Sequence, residues 1–102
     1  MDIFLPVLRS YVSAIPDVLE IVRAVSEETL LNYTVSVHGI KSTSESIGAE
    51  EAGSMAAEQE AMAKSGDLSG VMAKNGAFVQ YVEELLGNIR NWLALLRPPS
   101  LS

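Results

Sequence analysis

The chain has 102 residues and a formal net charge of −6, and 48% of its residues are apolar. This length suits a single domain over 1–102, and the apolar fraction is high enough for a hydrophobic core. Its seven basic residues are spread singly along the chain, whereas a surface that binds nucleic acid needs Lys and Arg concentrated together. Nucleic-acid binding is therefore not expected.

The sequence gives little sign of export or of membrane insertion. It contains no cysteine, which excludes disulfides and thiolate metal sites and fits a reducing cytoplasm. Apolar runs such as 92–96 are far shorter than the roughly 20 residues that a membrane span needs. At the start, Asp2 stands where a signal peptide is basic, and Pro6 and Arg9 interrupt the apolar stretch. We expect a cytoplasmic protein without direct membrane insertion.

Apolar residues recur at helical spacing along nearly the whole chain, and no run alternates with the period of a strand. Pro16 is expected to open the second helix and Ser26 to cap the third. Gly48 should end the third helix, and Gly66 with Asp67 should separate the last two. The predicted helices are five, at about 3–14, 16–25, 27–47, 49–65 and 68–96. Because the connections are short, the expected fold is all-α, an antiparallel up-down four-helix bundle with a short additional N-terminal helix.

His38 is the only histidine of the chain. With about 100° per residue, one arc of the third helix is expected to face the core, and it comprises Leu30, Tyr33, Val37, Ile40, Ser44 and Ile47. His38 lies roughly 130° from the centre of that arc, so it should reach solvent, with Lys41 one turn further along. Imidazole is a competent nucleophile because a large fraction of it is unprotonated near neutral pH. A lone surface histidine often has no function, so the case for a functional role of His38 depends on the residues around it.

Positions 38–49 read His-Gly-Ile-Lys-Ser-Thr-Ser-Glu-Ser-Ile-Gly-Ala. This run resembles the signature of histidine phosphotransfer (HPt) domains of two-component phosphorelays, in which His is followed by x-Leu/Ile-Lys-Gly, a Ser two residues later, and a hydrophobic-Gly-Ala. Positions 60–67, Glu-Ala-Met-Ala-Lys-Ser-Gly-Asp, are similar to a helix end of the same family. The chain departs from the family at Ser42, where Gly is usual, and at Gln59, where an apolar residue is common.

The resemblance implies a phosphorelay function. His38 would accept a phosphoryl group from a receiver-domain aspartate or a kinase and pass it to another receiver domain. Lys41 would offset the charge of the phosphate, and Glu60 would orient the imidazole, with Glu58 or Gln59 in that role if the helix register differs. The implied partners are response-regulator receiver domains and a sensor or hybrid histidine kinase, and the receiver would supply Mg²⁺ and most catalytic groups.

Several other functions are disfavoured by what the sequence lacks. It has no Gly-x-x-x-x-Gly-Lys-Ser/Thr loop and no Asp cluster suited to Mg²⁺, so we expect a phosphocarrier without a cofactor, not an autonomous enzyme. A di-metal bundle would need Glu-x-x-His, but Val35 stands three residues before His38. We expect a monomer, which could be a separate protein or one domain of a membrane-anchored hybrid kinase. The open alternative is an HPt-like bundle that docks partners without carrying phosphate.

Five further residues share the His38 side of the third helix, and we call them the docking surface: Leu31, Thr34, Val35, Ser42 and Glu45. In-line transfer requires a partner to cover the imidazole closely, which would explain apolar Leu31 and Val35 on a polar side. The alternative is that these two residues pack against the N-terminal helix.

Overall fold

A computed structural model describes the backbone of residues 4–95 and the side chains of residues 6–95. This part of the chain is all-α, without a strand, and its four helices are α1 (Phe4–Arg23), α2 (Leu30–Ser46), α3 (Glu50–Lys64) and α4 (Leu68–Leu95). The predicted helix ends at residues 3 and 96 lie outside the described residues. Within 4–95, no helix combines the length and the apolar character that a membrane crossing requires.

The expected break at Pro16 is wrong, because α1 runs through it as one helix. Proline lacks the N–H that would bond to the carbonyl of Val12, which costs roughly 3 kcal/mol. The apolar stripe nevertheless continues across the proline, and its five buried members are Leu8, Tyr11, Ile15, Leu19 and Val22. Burial of each large apolar side chain contributes about 1.5–3 kcal/mol, so packing outweighs the lost hydrogen bond. The described residues therefore contain no separate additional N-terminal helix.

The start of α2 also differs from the expectation, because Ser26 does not cap a helix that begins at residue 27. Thr29 Oγ1 accepts a hydrogen bond from the backbone N–H of Ser26 at 2.8 Å. The backbone N–H of Thr29 in turn donates to the carbonyl of Ser26 at 3.2 Å. These local bonds close a turn that competes with helix formation, and α2 begins only at Leu30.

The two later connections lie at the glycines expected to end helices, although α2 and α3 each end one residue before the predicted position and α3 begins one residue after it. Gly48 and Gly66 have φ values of 78° and 79°, in the left-handed region that glycine adopts most readily after a helix. Asp67 Oδ1 accepts a hydrogen bond from the backbone N–H of Gly70 at 2.9 Å. Asp67 therefore caps the N-terminus of α4, as the sequence predicts.

The core lies between helices that pack pairwise, α2 against α1 and α3, and α4 against α3 and α1. On α2 the buried residues are Tyr33, Val37, Ile40 and Ser44, followed by Ile47, which confirms most of the predicted core arc. Gly53 of α3 lies so close to α2 that an added Cβ would be 3.3 Å from Glu45 Cγ. This close approach places the exposed side of α2 beside α3. The candidate site lies at the surface between these two helices.

Candidate functional site

The imidazole of His38 lies at the surface, with 57% of its side chain exposed. Its Nδ1 is 2.9 Å from Glu60 Oε2, across the interface between α2 and α3. An ionised carboxylate only accepts hydrogen bonds, so the ring proton belongs on Nδ1. In the neutral ring, Nε2 then carries the free lone pair.

Glu60 is the centre of the site, with only 7% of its side chain exposed. Besides His38, it binds Lys41 Nζ through Oε1 at 3.1 Å and Lys64 Nζ through Oε2 at 3.2 Å. Burial acts to raise the pKa of Glu60, but hydrogen bonds from Lys41, His38 and Lys64 outweigh it and lower the pKa to about 2. The carboxylate is therefore ionised at neutral pH and holds all three donors.

Helical spacing on two neighbouring helices builds this cluster. His38 and Lys41 are three residues apart on α2, and Glu60 and Lys64 are four residues apart on α3. Residues at these spacings share one helix face, so each pair presents two functional groups to the same interface. The predicted residues His38, Lys41 and Glu60 thus lie together in the structure.

Neither of the two alternatives to Glu60 lies at the imidazole. Glu58 is exposed and binds Lys74 of α4 at 2.8 Å. Gln59 is buried and donates to the hydroxyl of Tyr33 at 2.7 Å. Lys64, which contacts the same carboxylate, was missing from the predicted site, although its position four residues after Glu60 is the signal that could have identified it.

The docking surface is open to solvent around His38. Leu31 and Val35 are 77% and 67% exposed, so the alternative that they pack against the N-terminal helix is wrong. Ser42 and Glu45 are also exposed, and Thr34 is partly buried. Beside them, α2 and α3 form a groove lined by Leu30, Leu31, Thr34, Ala63 and Lys64.

The site offers an exposed nitrogen lone pair, a fixed ring and two ammonium groups, which suit attack on an anionic electrophile. In the part of the chain that the structure describes, no group of three or more His, Asp or Glu side chains could hold a metal ion. Comparisons of the chain with models of protein families, with curated proteins and with solved structures found no match.

Proposed function

We propose that this chain is a histidine phosphotransfer module that carries a phosphoryl group on His38. The observation that carries the proposal is the hydrogen bond from His38 Nδ1 to the buried carboxylate of Glu60. In the neutral ring, this bond favours the tautomer with the proton on Nδ1 and the lone pair on Nε2, in a side chain that is 57% exposed. The HPt-like signature at 38–49 supports the same role.

In the proposed reaction, the Nε2 lone pair attacks the phosphorus atom of an aspartyl phosphate on a receiver domain. The Nε2–P bond forms as the P–O bond to the aspartate breaks, and the aspartate leaves as a carboxylate. No proton has to leave the ring, because Nδ1 keeps its proton and the ring becomes cationic. Glu60 stabilises that cation, while Lys41 and Lys64, which bind the same carboxylate, offset the charge of the phosphoryl oxygens. Transfer to a second receiver is the reverse of these steps.

The module is a phosphocarrier, because the partner receiver supplies the metal ion and most groups that catalyse transfer. Its proposed fold is an antiparallel up-down bundle of α1 to α4. Two hydrogen bonds support that topology: Tyr11 bonds Ser44 near the end of α2 at 2.9 Å, and the Val22 carbonyl at the end of α1 accepts from Asn75 near the start of α4 at 3.0 Å. A monomer in the cytoplasm, alone or within a hybrid kinase, fits this role.

The second candidate function is docking of partners without phosphate transfer. The exposed apolar pair Leu31 and Val35 favours it, because a docking protein needs such a surface whether or not His38 reacts.

An assay of phosphoryl transfer from a receiver domain distinguishes the two candidate functions. Receiver domains carrying a radiolabelled aspartyl phosphate are mixed with the parent chain and with a His38→Gln variant. We expect label on the parent alone, labile in acid and stable in alkali as a phosphoramidate is. A receiver that binds the parent stably but leaves it unlabelled would support the docking function instead.

A further inference from the structure

The core-facing side of α3 consists mostly of small residues. Its buried positions include Ala52, Gly53, Ala56 and Ala63, which present an almost smooth surface to the neighbouring helices. Interdigitating side chains normally fix how a helix is rotated about its axis, and alanine and glycine interdigitate little. Gln59, only 1% exposed, is the largest fully buried side chain of α3, whereas Met55 and Met62 are only partly buried against the core.

Gln59 begins a set of buried hydrogen bonds that reaches all four helices. Its Nε2 donates to the Tyr33 hydroxyl at 2.7 Å and to the Val71 carbonyl at 3.2 Å. The Tyr33 hydroxyl donates to Asn75 Oδ1 at 2.8 Å. Asn75 Nδ2 donates to the Val22 carbonyl at 3.0 Å, which lies in the last turn of α1 and has no helical partner. Each bond joins a different pair of helices.

The Tyr33 hydroxyl is the central member of this set, because it both accepts from Gln59 and donates to Asn75. Burial raises the pKa of Tyr33, and the hydrogen bond from Gln59 opposes that rise only in part. The hydroxyl therefore stays protonated and keeps its donor role at physiological pH. Hydrogen bonds are directional, so a satisfied buried set favours one arrangement of the helices over others of similar apolar burial.

We propose that Gln59 and Tyr33 are positioning residues of the His38 site, and that their hydrogen bond sets the rotation of α3 that brings Glu60 to the imidazole. Glu60 follows Gln59 directly and points about 100° further around the same helix. Because α3 is a rigid unit, the direction of Gln59 determines the direction of Glu60. The role of this positioning in phosphate transfer rests on the proposed function. The positioning itself does not, because the contact between Glu60 and His38 can be tested through the tautomer of the imidazole.

Two matched substitutions test the positioning role. Tyr33→Phe removes the central hydroxyl, whereas Tyr11→Phe removes another buried hydroxyl, which bonds Ser44 at 2.9 Å between α1 and α2. Both variants should melt below the parent temperature, because each loses a buried hydrogen bond. The readout is the ¹⁵N chemical shifts of the His38 ring at alkaline pH, which report the ratio of the two neutral tautomers.

We expect Tyr33→Phe to raise the ratio of the Nε2–H to the Nδ1–H tautomer roughly two- to tenfold, and Tyr11→Phe to leave it at the parental value. Gln59→Met, which keeps the length of the side chain and removes its amide, should shift the ratio in the same direction. A parental ratio in both Tyr33→Phe and Gln59→Met would overturn the proposal, as would an equal shift in Tyr11→Phe. Those results would not contradict phosphate transfer by the parent. Conversely, failure of the parent to accept phosphate would contradict the proposed function but not the positioning role of Gln59 and Tyr33.

Discussion

Lys41 and Lys64 bind the two different oxygens of one carboxylate, Lys41 at Oε1 and Lys64 at Oε2 of Glu60. They come from different helices, and each lies about one turn after a member of the His38–Glu60 pair. The carboxylate that binds the imidazole thus also binds one cation from α2 and another from α3. In the proposed function, these flexible ammonium groups are the cations that would offset the charge of a phosphoryl group on Nε2.

We predict that Lys41→Ala and Lys64→Ala each slow phosphoryl transfer, or shorten the life of phosphohistidine, by roughly two- to fivefold at low salt. The effect is modest because water screens partly exposed charges, and added salt should reduce it further. Lys74→Ala is the matched control, since it removes a lysine that binds Glu58 instead. Rates indistinguishable from those of the control would exclude both lysines from the chemistry.

Glu60→Ala should disorder the imidazole. The variant loses the acceptor of the Nδ1 proton, so we expect a shifted or broadened His38 ring signal by NMR and transfer slower by about tenfold. Glu58→Ala removes an exposed carboxylate two residues earlier on the same helix, about 200° around it from Glu60, and should change neither. An unchanged tautomer in Glu60→Ala would assign the orienting role to another group.

Protonation of the Glu60 carboxylate should contribute to unfolding of the protein in acid. Its pKa is lowered from 4.5 to about 2 in the folded state, so the ionised group stabilises the fold fully above about pH 4.5 and this contribution is lost as the pH falls towards 2. Chemical denaturation at a series of pH values should therefore show a steeper loss of unfolding free energy in this window for the parent than for Glu60→Gln. Parallel curves for the two proteins would contradict the lowered pKa.

The sequence is sufficient to predict much of the fold and of the site because these follow from local spacing. The periodicity of α2 places Tyr33 and Val37 inside and His38 outside, as observed. Gly48 and Asp67 mark helix ends through backbone conformation and capping, which single residues determine. Glu60 was identified by family resemblance, and its contact with His38 depends on how α3 lies against α2.

Other features depend on tertiary packing and could not be predicted from spacing. Pro16 normally favours a helix start, but the buried stripe of α1 outweighs its missing hydrogen bond. Asn75 has a low intrinsic helix propensity, yet it is buried in α4 and joins this helix to Tyr33 and to the end of α1. Such partners are 42 and 53 residues apart in the chain, so no local pattern reveals them.

Ser42→Arg should block transfer from a receiver domain while leaving the fold intact. Ser42 is exposed one turn beyond His38, and an arginine there would project into an approaching partner. Asn32→Arg is the control, because exposed Asn32 lies on α2 roughly 120° around the helix from His38. Melting temperatures of both variants should stay near that of the parent.

A small donor such as phosphoramidate distinguishes steric exclusion from loss of reactivity in Ser42→Arg. It should label this variant as well as the parent, because it does not need the docking surface. Transfer from the receiver to Ser42→Arg at the parental rate would place the docking surface on another side of His38.

The most direct test of the proposed function is to locate the phosphoryl group after treatment with phosphoramidate. His38→Gln should fold like the parent, because glutamine keeps an N–H group that can donate to Glu60, and Lys41 and Lys64 still bind the carboxylate. Mass spectrometry and ³¹P NMR should find one phosphoryl group on Nε2 of His38 in the parent and none in the variant. Equal phosphorylation of His38→Gln, or a parent without phosphohistidine, would contradict the proposal that His38 carries phosphate.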